Sequence, residues 1–294
     1  METYFVVVTC RNSQDTIMRA LISIKGQTIK PKHVIVINDG STDRTKDILE
    51  DIQKGWPCLY VITNPDLGYD IGRVVKNWNA AIKLTIDKGL EKTDYHMIAT
   101  DDTIYPRDYA QKIITFMDTN PSVAIASGTY SKYKPVMPHG AGRFIRNSFF
   151  ERSIWHGYYP EQMGYESAIL YEANRCGYSY NVINDVKFEH IRPLGKTHKF
   201  YEFGASMRTL GYHPIFVLGR FLRYFITGEI TGRVGATYML YYYVTYIPKS
   251  VGYDSMYDEH IRHYIRENQL HRLKNLILGI KKGRYSLFLI RDSR

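Results

Sequence analysis

The residues best suited to chemistry are carboxylates that follow apolar runs. Asp101 and Asp102 stand together after Tyr95–Thr100 (YHMIAT), and Asp39 lies in Asn38-Asp39-Gly40-Ser41-Thr42-Asp43 after His33–Asn38 (HVIVIN). Adjacent carboxylates repel each other; Mg²⁺ or Mn²⁺ relieves that repulsion and keeps positions open for phosphate oxygens. The competing reading of the pair is a helix cap at Asp102. Asp39 could accept hydrogen bonds from a uracil-like base or a ribose, or it could open a turn in which Ser41 or Thr42 caps the next helix. Other chemistries are disfavoured by what is missing. Thr9-Cys10-Arg11-Asn12 lacks a GxGxxG turn and no GxxxxGK[ST] occurs, which argues against dinucleotide hydride transfer and P-loop chemistry. Cys10, Cys58 and Cys176 form no CxxC pair, which argues against a zinc cluster or disulfide framework and fits a reducing compartment.

The elements that must position these residues alternate in type. Tyr4–Thr9, His33–Asn38, Cys58–Thr63, Tyr95–Thr100 and Val123–Ala126 read as strands, the first two as continuous β-branched runs buried on both faces. Between them, Ile17 to Ile24, Lys46 to Lys54 and Val74 to Ile86 read as helices, and Pro106 is expected to start another. This rhythm implies an open, mostly parallel α/β sheet with right-handed crossovers. Ligands then bind beyond the carboxyl ends of the strands, at the loops after Thr9, Asn38 and Thr100.

The 294 residues carry a net charge of +10, and 44% of them are hydrophobic, enough for one large core or two modest ones. The charge is unevenly placed. Residues 1–186 hold 21 Lys and Arg against 21 Asp and Glu, whereas residues 187–294 hold 18 against 8, together with 12 of the 26 tyrosines. A neutral front with a basic, Tyr-rich back points to a soluble core followed by a segment facing an anionic surface. Phe200 to Ile226 reads as an amphipathic helix pair broken near Gly211 and Pro214, and Val234–Pro248 runs 15 residues without a charge. That is short of the roughly 20 residues a helix needs to cross a bilayer, so an interfacial or re-entrant segment is expected. Tyr241–Tyr243 could stack sugars, with packing or membrane contact as the default. No secretory signal is visible at the start.

Four segments in order, VVVTCRNSQDTIMRALISIKGQT, VIVINDGSTDRTKDIL, GYDIGRVVKNWNAAI and MIATDDTIYPRD, resemble family 2 glycosyltransferases with the GT-A fold, and together cover roughly Phe5 to Ala126. The NDGSTD segment is the most specific, and ATDDTIYP is similar to the spore-coat polysaccharide branch of the family. The resemblance implies that Asp39 contacts the nucleobase, Thr9 and Arg11 the nucleotide, Asp101 the ribose side, and Asp102 a Mn²⁺ or Mg²⁺ ion bridging the diphosphate. Arg73 stands where the family offers a cation to the donor, and His190 where some members place a third metal ligand or a diphosphate contact; a hydrogen-bonded structural histidine is the other reading of His190. One departure is plain: Ala99 replaces the first Asp of the usual DxDD, which removes that residue's donor contacts. The resemblance further implies a base facing the sugar carbon. Glu166 in Gly164-Tyr165-Glu166-Ser167, eleven positions before Gly177 in Arg175-Cys176-Gly177-Tyr178, occupies the offset of the family's second acid, with Glu161 as the fallback. Glu166 could otherwise serve only the helix dipole.

The expected organisation is a GT-A catalytic domain over 1–199, with a nucleotide-binding half to about 127 and an acceptor-side half to 199, followed by a helical membrane-associating extension over 200–294. The expected activity is inverting, divalent-metal-assisted transfer from a nucleotide-diphosphate sugar to a glycan or a polyprenyl- or dolichyl-linked acceptor, by a protein peripheral on the cytoplasmic face of a membrane. The alternative is a catalytically silent α/β module whose basic tail binds nucleic acid or anionic lipid. It leaves Asp101, Asp102 and Glu166 without a task and sets them against phosphates, so no nucleic-acid partner is expected. Sugar nucleotidyl transfer needs a Gly-rich loop after the first strand, which TCRNSQDT does not supply.

Overall fold

The computed structural model describes residues 2–130, 137–192, 198–228 and 232–281. The stretch 128–159, which carries no motif of its own and is expected to shape the donor pocket, falls partly at 131–136, outside the described residues. Two compact units are present: Met1–Pro160 with Glu172–Pro193, and Glu161–Tyr171 with Leu194–Arg294. The segment 161–171 thus belongs to the second unit.

The first unit is built on a seven-stranded sheet. Its strands are β1 (Tyr4–Cys10), β2 (His33–Asn38), β3 (Leu59–Thr63), β4 (Tyr95–Thr100), β6 (Val123–Thr129), β7 (Arg143–Arg146) and β8 (Ser179–Lys187), in the spatial order β3-β2-β1-β4-β7-β6-β8. All neighbours are parallel except β7, which runs antiparallel to β4 and β6. A short pair, β5 (Thr103–Ile104) with β9 (Glu189–His190), lies outside this sheet. The α/β class and the mainly parallel sheet flanked by helices are as expected. The antiparallel β7 was not foreseen, because RFIR is too short to show a period.

Helices α1 (Ile17–Lys25), α2 (Thr45–Lys54), α3 (Arg73–Asp87), α4 (Tyr109–Thr119) and the one-turn α5 (Asn147–Phe150) complete the unit. Each long helix buries one stripe; in α1 it is Ile17, Ala20, Leu21 and Ile24. Pro106 does not start α4: the helix begins at Tyr109, whose N–H donates to the Pro106 carbonyl at 3.0 Å. Neither Ser41 nor Thr42 caps α2, because both are engaged with the loop after β1. The core is dense in aromatics. Tyr4 and Phe144 lie 5.2 Å apart, and the Tyr109 hydroxyl donates to the Gly142 carbonyl at 2.7 Å and accepts from the Gly128 N–H at 2.9 Å.

The second unit is helical: the start of α6 (Tyr165–Arg175), α7 (His198–Thr209), α8 (Pro214–Thr227), α9 (Gly232–Thr245) and α10 (Glu259–Lys281). The expected break between two helices near Gly211 and Pro214 is present. His213 caps α8, its Nδ1 accepting from the Ile215 N–H, with Pro214 in the first turn and Gly228 in the left-handed conformation past its end. α9 packs on α7 closely enough that a Cβ at Gly204 would lie 2.4 Å from the Met239 carbonyl oxygen. Tyr243 is buried and donates to the Tyr212 carbonyl at 2.7 Å, while Tyr241 is exposed, so the tyrosine triplet divides between packing and surface. No helix among the described residues is long and apolar enough to cross a membrane.

His96 on β4 is fully buried, with Nδ1 2.6 Å from Asn147 Oδ1 and Nε2 2.8 Å from the Tyr159 hydroxyl. Burial lowers its pKa to about 4. The unfolded chain therefore takes up a proton near pH 6.5 that the native state refuses until about pH 4, and stability falls as pH drops through that window. The expected loss between pH 7 and pH 5 is about 2 kcal/mol, checked by comparing urea midpoints of the parent and His96→Gln at the two pH values; the variant lacks this component.

Candidate active site

The parallel register brings the strand ends to one level: Cys10 pairs with Asn38, Asn38 with Thr63, and Thr9 with Thr100. The loops beyond them are tied together by side chains. The Asn12 N–H donates to Ser41 Oγ at 3.0 Å, and Asn12 Oδ1 accepts from the Thr42 N–H at 2.8 Å. The Ser13 N–H donates to Thr45 Oγ1 at 2.8 Å. Gly40 has φ +64°, and a Cβ there would lie 2.5 Å from the Pro65 carbonyl oxygen, so only glycine fits this approach of the β2 and β3 loops.

Asp39, 6% exposed, is held by Arg73 from the first turn of α3: Nε lies 3.1 Å from Oδ1 and Nη2 3.1 Å from Oδ2. The hydrogen bond to Asp39 raises the Arg73 pKa above its ordinary value. Arg73 also donates to the Gly68 carbonyl. Arg11 donates to the backbone carbonyls of Asp39 at 2.5 Å and Gly40 at 2.7 Å, and pairs with Asp66 Oδ1 at 2.6 Å. The cation that the sequence reading offers to the donor is therefore already shared with the carboxylate it offers to the base.

The acidic pair after β4 divides its partners. Asp101 Oδ2 accepts from Ser13 Oγ and from Arg192 Nη2 at 2.9 Å, and the same Arg192 nitrogen donates to Thr16 Oγ1 at 2.8 Å. Burial raises the Asp101 pKa, opposed by Ser13 and Arg192. Asp102 Oδ1 accepts from Thr100 Oγ1 at 2.9 Å and stands 3.4 Å from His190 Nδ1. Burial pushes the Asp102 pKa up, but His190, Thr100 and Arg192 together hold it below its ordinary value. The Asp102 backbone carbonyl accepts from the Ile191 N–H at 2.8 Å, and the β5–β9 pair sets Thr103 opposite His190. Asp102 is thus not a helix cap. His190 also meets the Tyr130 ring edge-on at 4.6 Å, and His139, whose pKa burial lowers to about 4, lies 4.3 Å from Tyr130.

Thr9, Arg11, Asp39, Arg73, Asp101, Asp102 and His190 thus all belong to the first unit, on strand ends and the loops and helix start that follow them. Glu166 lies on the first turn of α6, half-buried, and Glu161 is exposed; both belong to the second unit. Sequence reasoning passed over Ser13, Asp66 and Arg192. Arg192 carried a faint signal, two residues past His190; Ser13 carried none. Three buried atoms, Thr9 Oγ1, Asn38 Nδ2 and His190 Nδ1, find no hydrogen-bond partner among the described residues.

An open, mostly parallel sheet with charged side chains beyond its strand ends is the architecture of α/β proteins that bind ligands at the carboxyl ends of their strands. The model of the glycosyl transferase family 2 domain matches residues 5–176, and the chain belongs to that family. An uncharacterized glycosyltransferase of Haemophilus influenzae is 31% identical over 214 residues, 71% of this chain and 62% of that protein. The poly-beta-1,6-N-acetyl-D-glucosamine synthase of Staphylococcus epidermidis is 27% identical over 124 residues, 42% of this chain and 27% of that one. The chain therefore spans well under the full length of these curated relatives. Among solved structures, the mannosyltransferase PcManGT of Pyrobaculum calidifontis, in complex with GDP-Man and Mn²⁺, superposes with a TM-score of 0.55 at 14% identity, over 98% of this chain and 82% of that one. S. aureus TarS 1–349 in complex with UDP-GlcNAc gives 0.51 at 16% identity, over 99% and 95%. At such identities the likeness establishes the fold, which is that of glycosyltransferases.

Removing Arg73 leaves the Asp39 carboxylate buried and unpaired. Arg73→Ala is expected to destabilise the protein by about 3 kcal/mol, read from denaturant midpoints, with Arg73→Lys intermediate because an ammonium cannot reproduce the forked contact.

Proposed function

We propose that the chain transfers a sugar, with inversion, from a nucleotide-diphosphate sugar to a glycan or a polyprenyl- or dolichyl-linked acceptor, as a peripheral protein on the cytoplasmic face of a membrane. The observation that carries the reading is the rim itself. Asp39, Asp101, Asp102, Arg11 and Arg73 converge on strand ends brought level by one register, beside Thr9 Oγ1 and Asn38 Nδ2, which are buried and find no hydrogen-bond partner among the described residues. In this reading Asp39 contacts the base, Thr9 and Arg11 the nucleotide and Asp101 the ribose side, and Arg73 orients Asp39 while its positive charge lies beside the donor.

Asp102 and His190 fit a two-ligand site for Mn²⁺ or Mg²⁺. Among the described residues no third Asp, Glu, His or Cys joins them, and no hydrogen bond reaches Asp102 Oδ2. Asp102 and His190 would hold a cation that leaves positions open for oxygen ligands, and such a cation would neutralise charge on the departing diphosphate. That one neighbour was solved with GDP-Man and Mn²⁺, and another with UDP-GlcNAc, supports a nucleotide-sugar donor. Glu166 is the base that takes the acceptor hydroxyl proton during in-line attack, with Glu161 as the fallback.

Donor hydrolysis and transfer are measured with Mn²⁺ or Mg²⁺ for the parent, Asp102→Ala and Glu166→Gln. Glu166→Gln is expected to lose roughly 10²- to 10⁴-fold in turnover while keeping the thermal shift caused by a nucleoside diphosphate with manganese. Asp102→Ala is expected to lose the manganese-dependent part of that shift, since only binders of the folded state raise the midpoint. Equal turnover in all three removes both roles.

A further inference from the structure

Two helices of the second unit are apolar on the side they turn to solvent. In α8, Ile215, Leu218, Leu222 and Ile226 recur at helical spacing and are 56%, 48%, 48% and 67% exposed, while Val217 on the other side is buried. In α9, Val234, Tyr238, Tyr241 and Val244 form a second such stripe, 66%, 48%, 56% and 66% exposed, while Ala236, Met239 and Tyr243 are buried. The two helices pack against each other. A helix on the surface of a water-soluble domain keeps its outer face polar, and paired apolar stripes of this size mark a contact surface.

The charges next to the stripes select the partner. Residues 214–253 contain Arg220, Arg223, Arg233 and Lys249 against one acidic residue, Glu229; Lys249 pairs with Asp254 at 2.7 Å, and Arg220 lies over the Tyr212 and Phe216 rings. A second copy docked on this face by two-fold symmetry would bring like charges together, whereas an anionic lipid surface is complementary. The long faces of Tyr238 and Tyr241 suit the head-group level, where a ring meets hydrocarbon and the hydroxyl meets water. A 14-residue helix such as α8 is about 21 Å long, so it lies in the interface.

We infer that the outer face of α8 and α9 inserts into the head-group and upper acyl layer of an anionic bilayer, with Leu218, Leu222 and Val244 in the hydrocarbon boundary and the exposed Arg233 at the phosphates. This deepens the membrane-held acceptor of the reading above and rests on that reading only there.

The test uses the full chain and vesicles of phosphatidylcholine with or without phosphatidylglycerol. The parent is expected to float with the phosphatidylglycerol vesicles at low salt and to be released as salt rises. Leu222→Glu together with Val244→Glu is expected to weaken binding at least about tenfold, with unchanged circular dichroism and unchanged hydrolysis of a soluble donor. Leu222→Trp, which keeps the face apolar, is expected to shift its emission to the blue on these vesicles. Absence of vesicle binding by the parent, equal binding by the double variant, or no emission shift overturns the inference, as does a dimer in sedimentation that the double variant disperses. If donor turnover persists while vesicle binding fails, the lipid surface is wrong and the transferase reading stands; the reverse outcome separates them the other way.

Discussion

A carboxylate at the end of a strand buried on both faces stays charged only if another part of the chain brings it a partner. Three such groups crowd the carboxyl edge of this sheet, and each is answered differently. Asp39 receives a forked guanidinium from Arg73, Asp101 receives Ser13 and Arg192, and Asp102 receives Thr100 and stands beside His190. The burial that makes the strands stable also makes these partners obligatory.

The consequence is a graded rim. Both oxygens of Asp39 are spent on Arg73, and the carbonyls of Asp39 and Gly40 hold Arg11. Asp101 is enclosed and shifted upward in pKa. Asp102, held below its ordinary value, has one oxygen, Oδ2, that accepts no hydrogen bond from a described residue, while Oδ1 stands 3.4 Å from His190 Nδ1. The division follows from how many donors each loop supplies.

The second unit is organised by different forces. Its helices are joined through tyrosine hydroxyls and backbone carbonyls, as in Tyr243 to Tyr212 and Tyr171 to Tyr212, and by the close approach at Gly204. α9 has apolar residues on both faces, so its packing consumes only one of them. The charge-free run over 234–248 announced an unusual segment; that half of it is core and half is surface depends on where α7 and α8 lie.

Much of the fold and site was legible in the residues. Continuous apolar runs such as VVV and VIVIN read as strands because both faces of a parallel sheet are covered, and the turns after them had to carry the polar residues. β7 was hidden because four residues have no period, and α4 began three residues past Pro106 because the intervening turn takes its bonds from the loop. The local alternation of strand and helix, the acidic residues at the strand ends and the basic, tyrosine-rich back were determined by the sequence alone, since each depends on neighbours a few positions apart. The pairings of Arg73 with Asp39 and Arg192 with Asp101 join residues 34 and 91 positions apart, and the tertiary structure alone decided them. Which charge meets which is set by strand order and register, and these depend on how the whole sheet buries its faces.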